Sequence, residues 1–303
     1  MTKIGLIISF IIIGAGLVWF LVKALQGKEA ERRIIFLFIA LAVSVPILFN
    51  ITFSEKASPI VKAVFDKIDN FPAGSRILIS YDYGPAMAPE VEPMSNAMLR
   101  HSLAKGHKVY LMGLWATGQS LVATAIDSIV KKEFPEKVNG IDYVNLGYKA
   151  GGQGVLNVII TDIRKMYLTD VAGTDLDSMK IMNGVKSLRD MDLLICIGGG
   201  FPGVKEWVQF AGDPGHIPVA GGSAAVSAPL LYPYWPTQLI GLLGGIKGAA
   251  EYESELKRKY VRFENTPVPG IRMMGPQTLA HLVIMAFIVL GNISYFIAKR
   301  KQG

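Results

Sequence analysis

The sequence predicts an α/β domain of Rossmann-like layering, three layers around a largely parallel sheet, anchored by three transmembrane helices. Three observations carry this expectation. Ile4–Val22, Ile34–Phe53 and Leu279–Ala298 hold no Asp, Glu, Lys or Arg. Each has about the twenty residues that a helix rising ~1.5 Å per residue needs to cross a ~30 Å hydrocarbon core. Between the second and third runs, strand-like and helix-like segments alternate, the pattern of crossovers to parallel strands. Glycine-rich turns follow five of the strand-like segments, as they do at one edge of an open parallel sheet.

The membrane reading comes first because it sets the compartment. Buried helices of a soluble core rarely give three uncharged runs of this length at the two chain ends. The loop KALQGKEAERR holds Lys23, Lys28, Arg32 and Arg33, and the tail holds Lys299, Arg300 and Lys301, whereas only Lys3 precedes the first run. Basic residues in short loops are retained on the cytoplasmic side. Both clusters lie inside only if the N-terminus is outside and the C-terminus inside, which makes the central region extracytoplasmic. Trp19 falls near the inner end of the first span, an interfacial position. A cleaved signal peptide would need a small-residue cleavage site, and the first run leads straight into the basic loop instead.

Topology also accounts for the formal charge of +7. Without the seven flanking cations, Lys3, Glu29 and Glu31, the 31 Lys/Arg and 24 Asp/Glu become 23 and 22. The basicity belongs to anionic lipid and not to a nucleic-acid surface. Cys196 is the one cysteine, so no intramolecular disulfide is available, and the strand LLICI around it makes core packing its simplest role.

Residues 1–53 are therefore expected to form two spans with a basic loop, and 54–75 an amphipathic connector. The α/β domain is expected over 76–263, and 264–303 as a return linker, third span and basic tail. In SPIVKAVFDKIDNFPAG, Ser58 caps, Pro59 suits the first helical turn, and Ile60, Val61, Val64, Phe65 and Ile68 recur at helical spacing. Strands are expected at Arg76–Tyr83, Lys108–Trp115, Asp142–Tyr148, around LLICIGGG and at Ile217–Gly222. Helices are expected near Pro89–Lys105, Gln119–Phe134 and Gln238–Tyr260. Val155–Leu168 reads as helical or mixed, Asp175–Met191 as a capped segment, and ENTPVPGIRMMGP as an irregular return to the membrane.

The turns YDYGPA, MGLWATGQ, NLGYKAGGQG, IGGGFPG and VAGGSAA would share the carboxyl edge of the sheet, where ligands bind beside a topological switch point. This nominates Asp82, Tyr83, Gly118, Gln119, Gly152, Gln153, Gly199, Gly200 and Gly222 as ligand-binding positions. Asp82 serves equally as a helix cap. Gly198, Gly200 and Gly203 have the spacing of a dinucleotide loop, but the next strand ends in glycine where the ribose-binding acid belongs, and Asp213 comes too early. No nucleotide or other cofactor is expected. The four histidines show no ligand spacing, so no metal is expected either.

In GGSAA, Ser223 follows two glycines at a strand end, where backbone amides could hold an oxyanion. His216 and Lys149 are the candidate bases. The signature G-x-S-x-G is absent, and a capping serine explains the same residues. His281, Ile288, Asn292 and Tyr295 form one stripe on the third span, and Gly14 and Gly16 permit close helix contact in the first. SAPLLYPYWPTQLIGLLGG is either core or an apolar contact surface. The expected function is an anchored binding or scaffolding subunit of a membrane complex, with lipid and either a second copy or other membrane subunits as partners. A serine hydrolase using Ser223 is the alternative.

Overall fold

A computed structural model describes residues 14–16, 18–23, 25–26, 31–53 and 55–302. The chain divides into two compact units, one of residues 55–270 and the other of the flanking segments up to 54 and from 271.

The larger unit is the α/β domain. Six strands, β1 (Arg76–Asp82), β2 (Lys108–Gly113), β3 (Tyr143–Tyr148), β4 (Leu193–Gly198), β5 (Val219–Ser223) and β6 (Leu239–Gly244), form one sheet in the order β3-β2-β1-β4-β5-β6. All neighbours are parallel, with Ile77 aligned to Val109 on one side and Leu193 on the other. Such strands are covered on both faces, which is why ILISY, broken only by Ser80, and LLICI read as near-continuous apolar runs. Alternate residues divide the core. Ile77, Ile79, Tyr81, Ile195 and Ile197 lie under one helical layer, and Leu78, Tyr110, Leu194 and Cys196 under the other.

The first layer contains α2 (Pro59–Asn70), α3 (Ala88–Ala104) and α4 (Gly118–Ala125), which runs on to Glu133, together with α7 (Gly245–Lys259); the helix of the smaller unit, α1, spans Arg32–Leu48. The second layer holds α5 (Gln153–Ile159), α6 (Val204–Trp207) and the 3-10 turns between Ile163 and Asp190. The chain enters and leaves this domain beside one helix. Ser58 bonds Glu251, and Gly270 packs against Ala249 and Ala250, all three partners belonging to α7.

One expectation for this domain changes, and one gains detail. The helix expected from Gln238 begins at Gly245, and Leu239–Gly244 is instead the sixth strand. A six-residue apolar run has no periodicity to separate strand from helix, but Gly241 has a use only in the strand. It lets β6 approach the Ile60 carbonyl and Val64 of α2 where a Cβ would collide. The segment Asp175–Met191 is built from short 3-10 turns, with Asp175 and Ser187 capping two of them.

In the smaller unit, one helix among the described residues is long and apolar enough to cross a membrane, Pro269–Ile297. It is the main part of α8 (Pro269–Gln302), so the helix starts within the stretch expected to be irregular. Pro269 takes the first helical position, where a missing N–H costs nothing. The expected second span is helical over Arg32–Leu48 only, seventeen residues. Asn50 turns left-handed (φ 48°), and the bonds Asn50 N–H to Ile47 and Ile51 N–H to Pro46 close the helix end. Most of the expected first span lies outside the described residues; Gly14–Lys23 is the apolar helical part described. The three segments meet through Phe20, Phe38 and Phe287, with edge-to-face centroid distances of 5.8 and 4.7 Å from Phe20. A Cβ on Gly16 would strike the Phe38 ring.

Candidate functional site

From β1 the chain winds outward through α3 to β2, and from β4 it winds the other way through α6 to β5. The carboxyl ends of β1 and β4 therefore flank the switch point, where an open α/β sheet takes its ligands. Asp82 sits at this point and is fully buried. Its Oδ1 accepts from Leu114 N at 2.6 Å and Ser80 Oγ at 2.9 Å, and its Oδ2 from Trp207 Nε1 at 2.6 Å and Cys196 Sγ at 3.4 Å. Burial pushes the carboxyl up to about 6 even though all four donors favour the anion. With four protein donors and no exposed surface, Asp82 binds β1 to β2, β4 and α6. Tyr83 is also turned inward, its hydroxyl 3.0 Å from Ser95 Oγ and its ring stacked on Tyr81.

The glycine turns pack closely against protein. A Cβ on Gly118 would meet the Tyr81 carbonyl, one on Gly199 the Met87 side chain, and one on Gly222 the Met94 sulfur. The Trp115 indole lies against Gly200 and donates to the Pro202 carbonyl at 2.9 Å. Pro202 in turn lies against Gly152, which has a positive φ of 54°. Thus half-buried Met87 and Trp115, with Pro202, stand against the glycine turns at the switch point, and Gly200 itself stays exposed. Gln119 and Gln153 are exposed at the starts of α4 and α5.

The structure does not bring the candidate nucleophile and bases together. Ser223 ends β5 at the carboxyl edge, buried, with its hydroxyl 3.3 Å from the Ala224 carbonyl. His216 is exposed and precedes β5, so the whole strand separates the two residues. Lys149 follows β3, four strands from β5 in the sheet. At ~4.8 Å per strand that separation is about 19 Å. Its ammonium lies over the Tyr167 ring, 5.5 Å from the centroid. A base must come within ~3 Å of the hydroxyl it deprotonates.

Two further features lie outside the nominated edge. At the opposite end of the first helical layer, buried His101 joins α3 to its neighbours. Its Nδ1 is 2.7 Å from Tyr252 Oη, its Nε2 is 3.4 Å from Asp69 Oδ1, and its ring stacks on Phe65. Lys259 and Tyr260 complete the cluster by donating to Asp69. Burial holds the imidazole down at about 4, so it is neutral near pH 7. Burial alone would raise the Asp69 carboxyl, but the hydrogen bonds from Lys259, Tyr260 and His101 bring it down to about 2. The second feature is a cleft of about 560 Å³ beside β6, lined by residues of α2, α7 and the β5–β6 connection. Pairing of distant helices hid both as sites; for the cleft, the apolar and aromatic stretch SAPLLYPYWPTQLIGLLGG, which supplies Tyr232, Trp235 and Leu242, was legible as core or a contact surface. Among the described residues no group of three His, Cys, Asp or Glu side chains is arranged to hold a metal. No protein-family model matches the chain, and no curated protein matches it.

Proposed function

We propose that the chain is a membrane-anchored scaffolding subunit whose extracytoplasmic α/β domain binds a protein partner through its carboxyl edge. The observation that carries this reading is an apolar surface on that edge. Phe201 is 67% exposed, Val226 86% and Leu230 75%. Phe201 belongs to the turn after β4, and Val226 and Leu230 to the connection after β5, two neighbouring strands. Ser227 ties the turns by donating to the Gly199 carbonyl at 3.4 Å. The β5–β6 crossover has only 3-10 turns where a crossover helix is usual; Ala228 and Leu231 reach the core, and Val226 and Leu230 stand outside it. Contiguous exposed apolar groups on a folded domain mark a contact surface. Asp82, Tyr83 and Ser223 of the same edge have their partners inside the protein, which favours association over chemistry.

The membrane segments support the same reading. Three spans, both basic clusters inside and a domain outside remain the topology that the charge pattern favours. On α8, Val283 and Leu279 are buried with Ala42, whereas His281, Ile288, Asn292 and Tyr295 are exposed. Polar side chains within a span seek protein. That stripe is therefore a contact for a second copy or another membrane subunit.

A photo-crosslinking residue at position 226 of the full chain in native membranes tests the proposal. The expected result is a discrete crosslinked species that Leu230→Asp abolishes without lowering the thermal midpoint. A chain that stays monomeric and uncrosslinked would sink it.

A further inference from the structure

We infer that the cleft beside β6 is a binding site for an organic ammonium ion carrying an apolar body. Its volume of about 560 Å³ falls in the ~300–1,000 Å³ range of small-molecule sites. Tyr232 and Trp235 supply aromatic walls, and Leu242 and the first turn of α2 supply an apolar floor. The polar group at the back is Glu251, whose carboxylate is buried. Its Oε2 is occupied, accepting from Ser58 N at 2.8 Å and Ser58 Oγ at 2.6 Å. Among the described residues its Oε1 has only the Lys247 ammonium, at 3.7 Å, beyond hydrogen-bond reach. Lys247 is 63% exposed on the rim, so it remains largely hydrated.

The cleft thus offers a carboxylate oxygen of an otherwise buried side chain, with no hydrogen-bond donor on it among the described residues, beside two aromatic residues. Carboxylate and ring faces both attract cations, and a desolvated ammonium gains more from each than a hydrated one. An incoming ammonium would displace Lys247 from Oε1 and place its alkyl or aryl group against Trp235, Tyr232 and Leu242. An anion would have to approach the Glu251 carboxylate. The ammonium head could belong to a free amine or to an aminolipid.

The test uses the full chain in a non-ionic detergent, with calorimetric titration of hexylammonium, hexanoate and hexanol. Saturable binding is expected for hexylammonium alone. Trp235→Ala should weaken it severalfold, and Glu251→Gln by about tenfold or more. Because Glu251 also accepts from Ser58, the decisive variant is Lys247→Ala, on the exposed rim. Removal of the competing cation should tighten hexylammonium binding about two- to fivefold, which a purely structural role for the pair would not produce. Displacement by an ethanolamine-headed lipid assigns the site to a lipid, and failure of displacement to a free amine; either supports an ammonium site. Equal or tighter binding of hexanoate, no saturable binding of hexylammonium, or weaker binding in Lys247→Ala would overturn the inference.

Discussion

Trp207 Nε1 donates to Asp82 Oδ2 at 2.6 Å, and this bond fastens α6 to the end of β1 inside the second core layer. In Trp207→Phe the carboxylate keeps Leu114, Ser80 and Cys196 but loses a charge-assisted bond, and the smaller ring leaves a void. The two losses together are expected to cost about 2–4 kcal/mol. Urea unfolding of the full chain, followed by circular dichroism, measures it. An unchanged midpoint would show that Asp82 is not the clamp described.

Asp82 and His101 act in opposite directions on stability over nearly the same pH range. The Asp82 carboxyl is raised by burial from 3.8 to about 6, so between these values the folded state holds the extra proton. Its contribution is full below about pH 4 and is lost as pH rises to 6. His101 is lowered by burial from 6.5 to about 4, so the unfolded state holds the extra proton. Its contribution is full above about pH 6.5 and is lost as pH falls to 4. At about 1.4 kcal/mol per pH unit, the two slopes nearly cancel. Relative to the parent, the stability of Asp82→Asn should climb with pH from 4.5 to 6, and that of His101→Gln should fall. Denaturant titrations at three pH values read this directly. Parallel curves for parent and Asp82→Asn would contradict the burial argument. The contribution from Asp69, lowered to about 2, is lost only below pH 4 and leaves the window untouched.

Much of the domain was legible because parallel strands buried on both faces write themselves as continuous apolar runs. Arg76–Asp82 and Leu193–Gly198 lie within the expected strands, and the helix Pro59–Asn70 begins at the expected proline, although Ser58 makes no side-chain cap and gives its hydroxyl to Glu251 instead. LIGLLG failed because its evidence is nonlocal: β6 is a strand by virtue of β5 beside it and α2 above Gly241. The glycine turns were placed correctly along one edge, but their purpose was not legible. Gly118 and Gly200 admit a carbonyl and an indole of the same chain, and no local pattern distinguishes that from room for a ligand. Asp82 at a strand end looked equally apt for capping or binding. Its partners Leu114, Cys196 and Trp207 lie 32 to 125 positions away.

Ser223 gives a simple check on catalysis. A buried hydroxyl, with Lys149 about four strand spacings away and His216 before the start of β5, has neither nominated base beside it. A fluorophosphonate probe is expected to leave the full chain unlabelled at neutral pH, and Ser223→Ala to match the parent in this respect. Labelling that disappears in Ser223→Ala would restore the hydrolase reading.

The packing beside the switch point can be measured through Gly200 and Trp115. A Cβ at position 200 would sit 2.5 Å from the indole, too close for a real contact. In Gly200→Ala the ring must shift, straining its 2.9 Å bond to the Pro202 carbonyl. Overpacking of this kind should cost about 1–3 kcal/mol. Trp115→Ala removes both the obstacle and the bond, so adding Gly200→Ala to that background should cost much less. The double-mutant cycle should therefore show a coupling of about 1 kcal/mol or more. Additive effects would mean that the indole does not rest on Gly200 in solution and that the crevice between β1 and β4 stands open to a ligand.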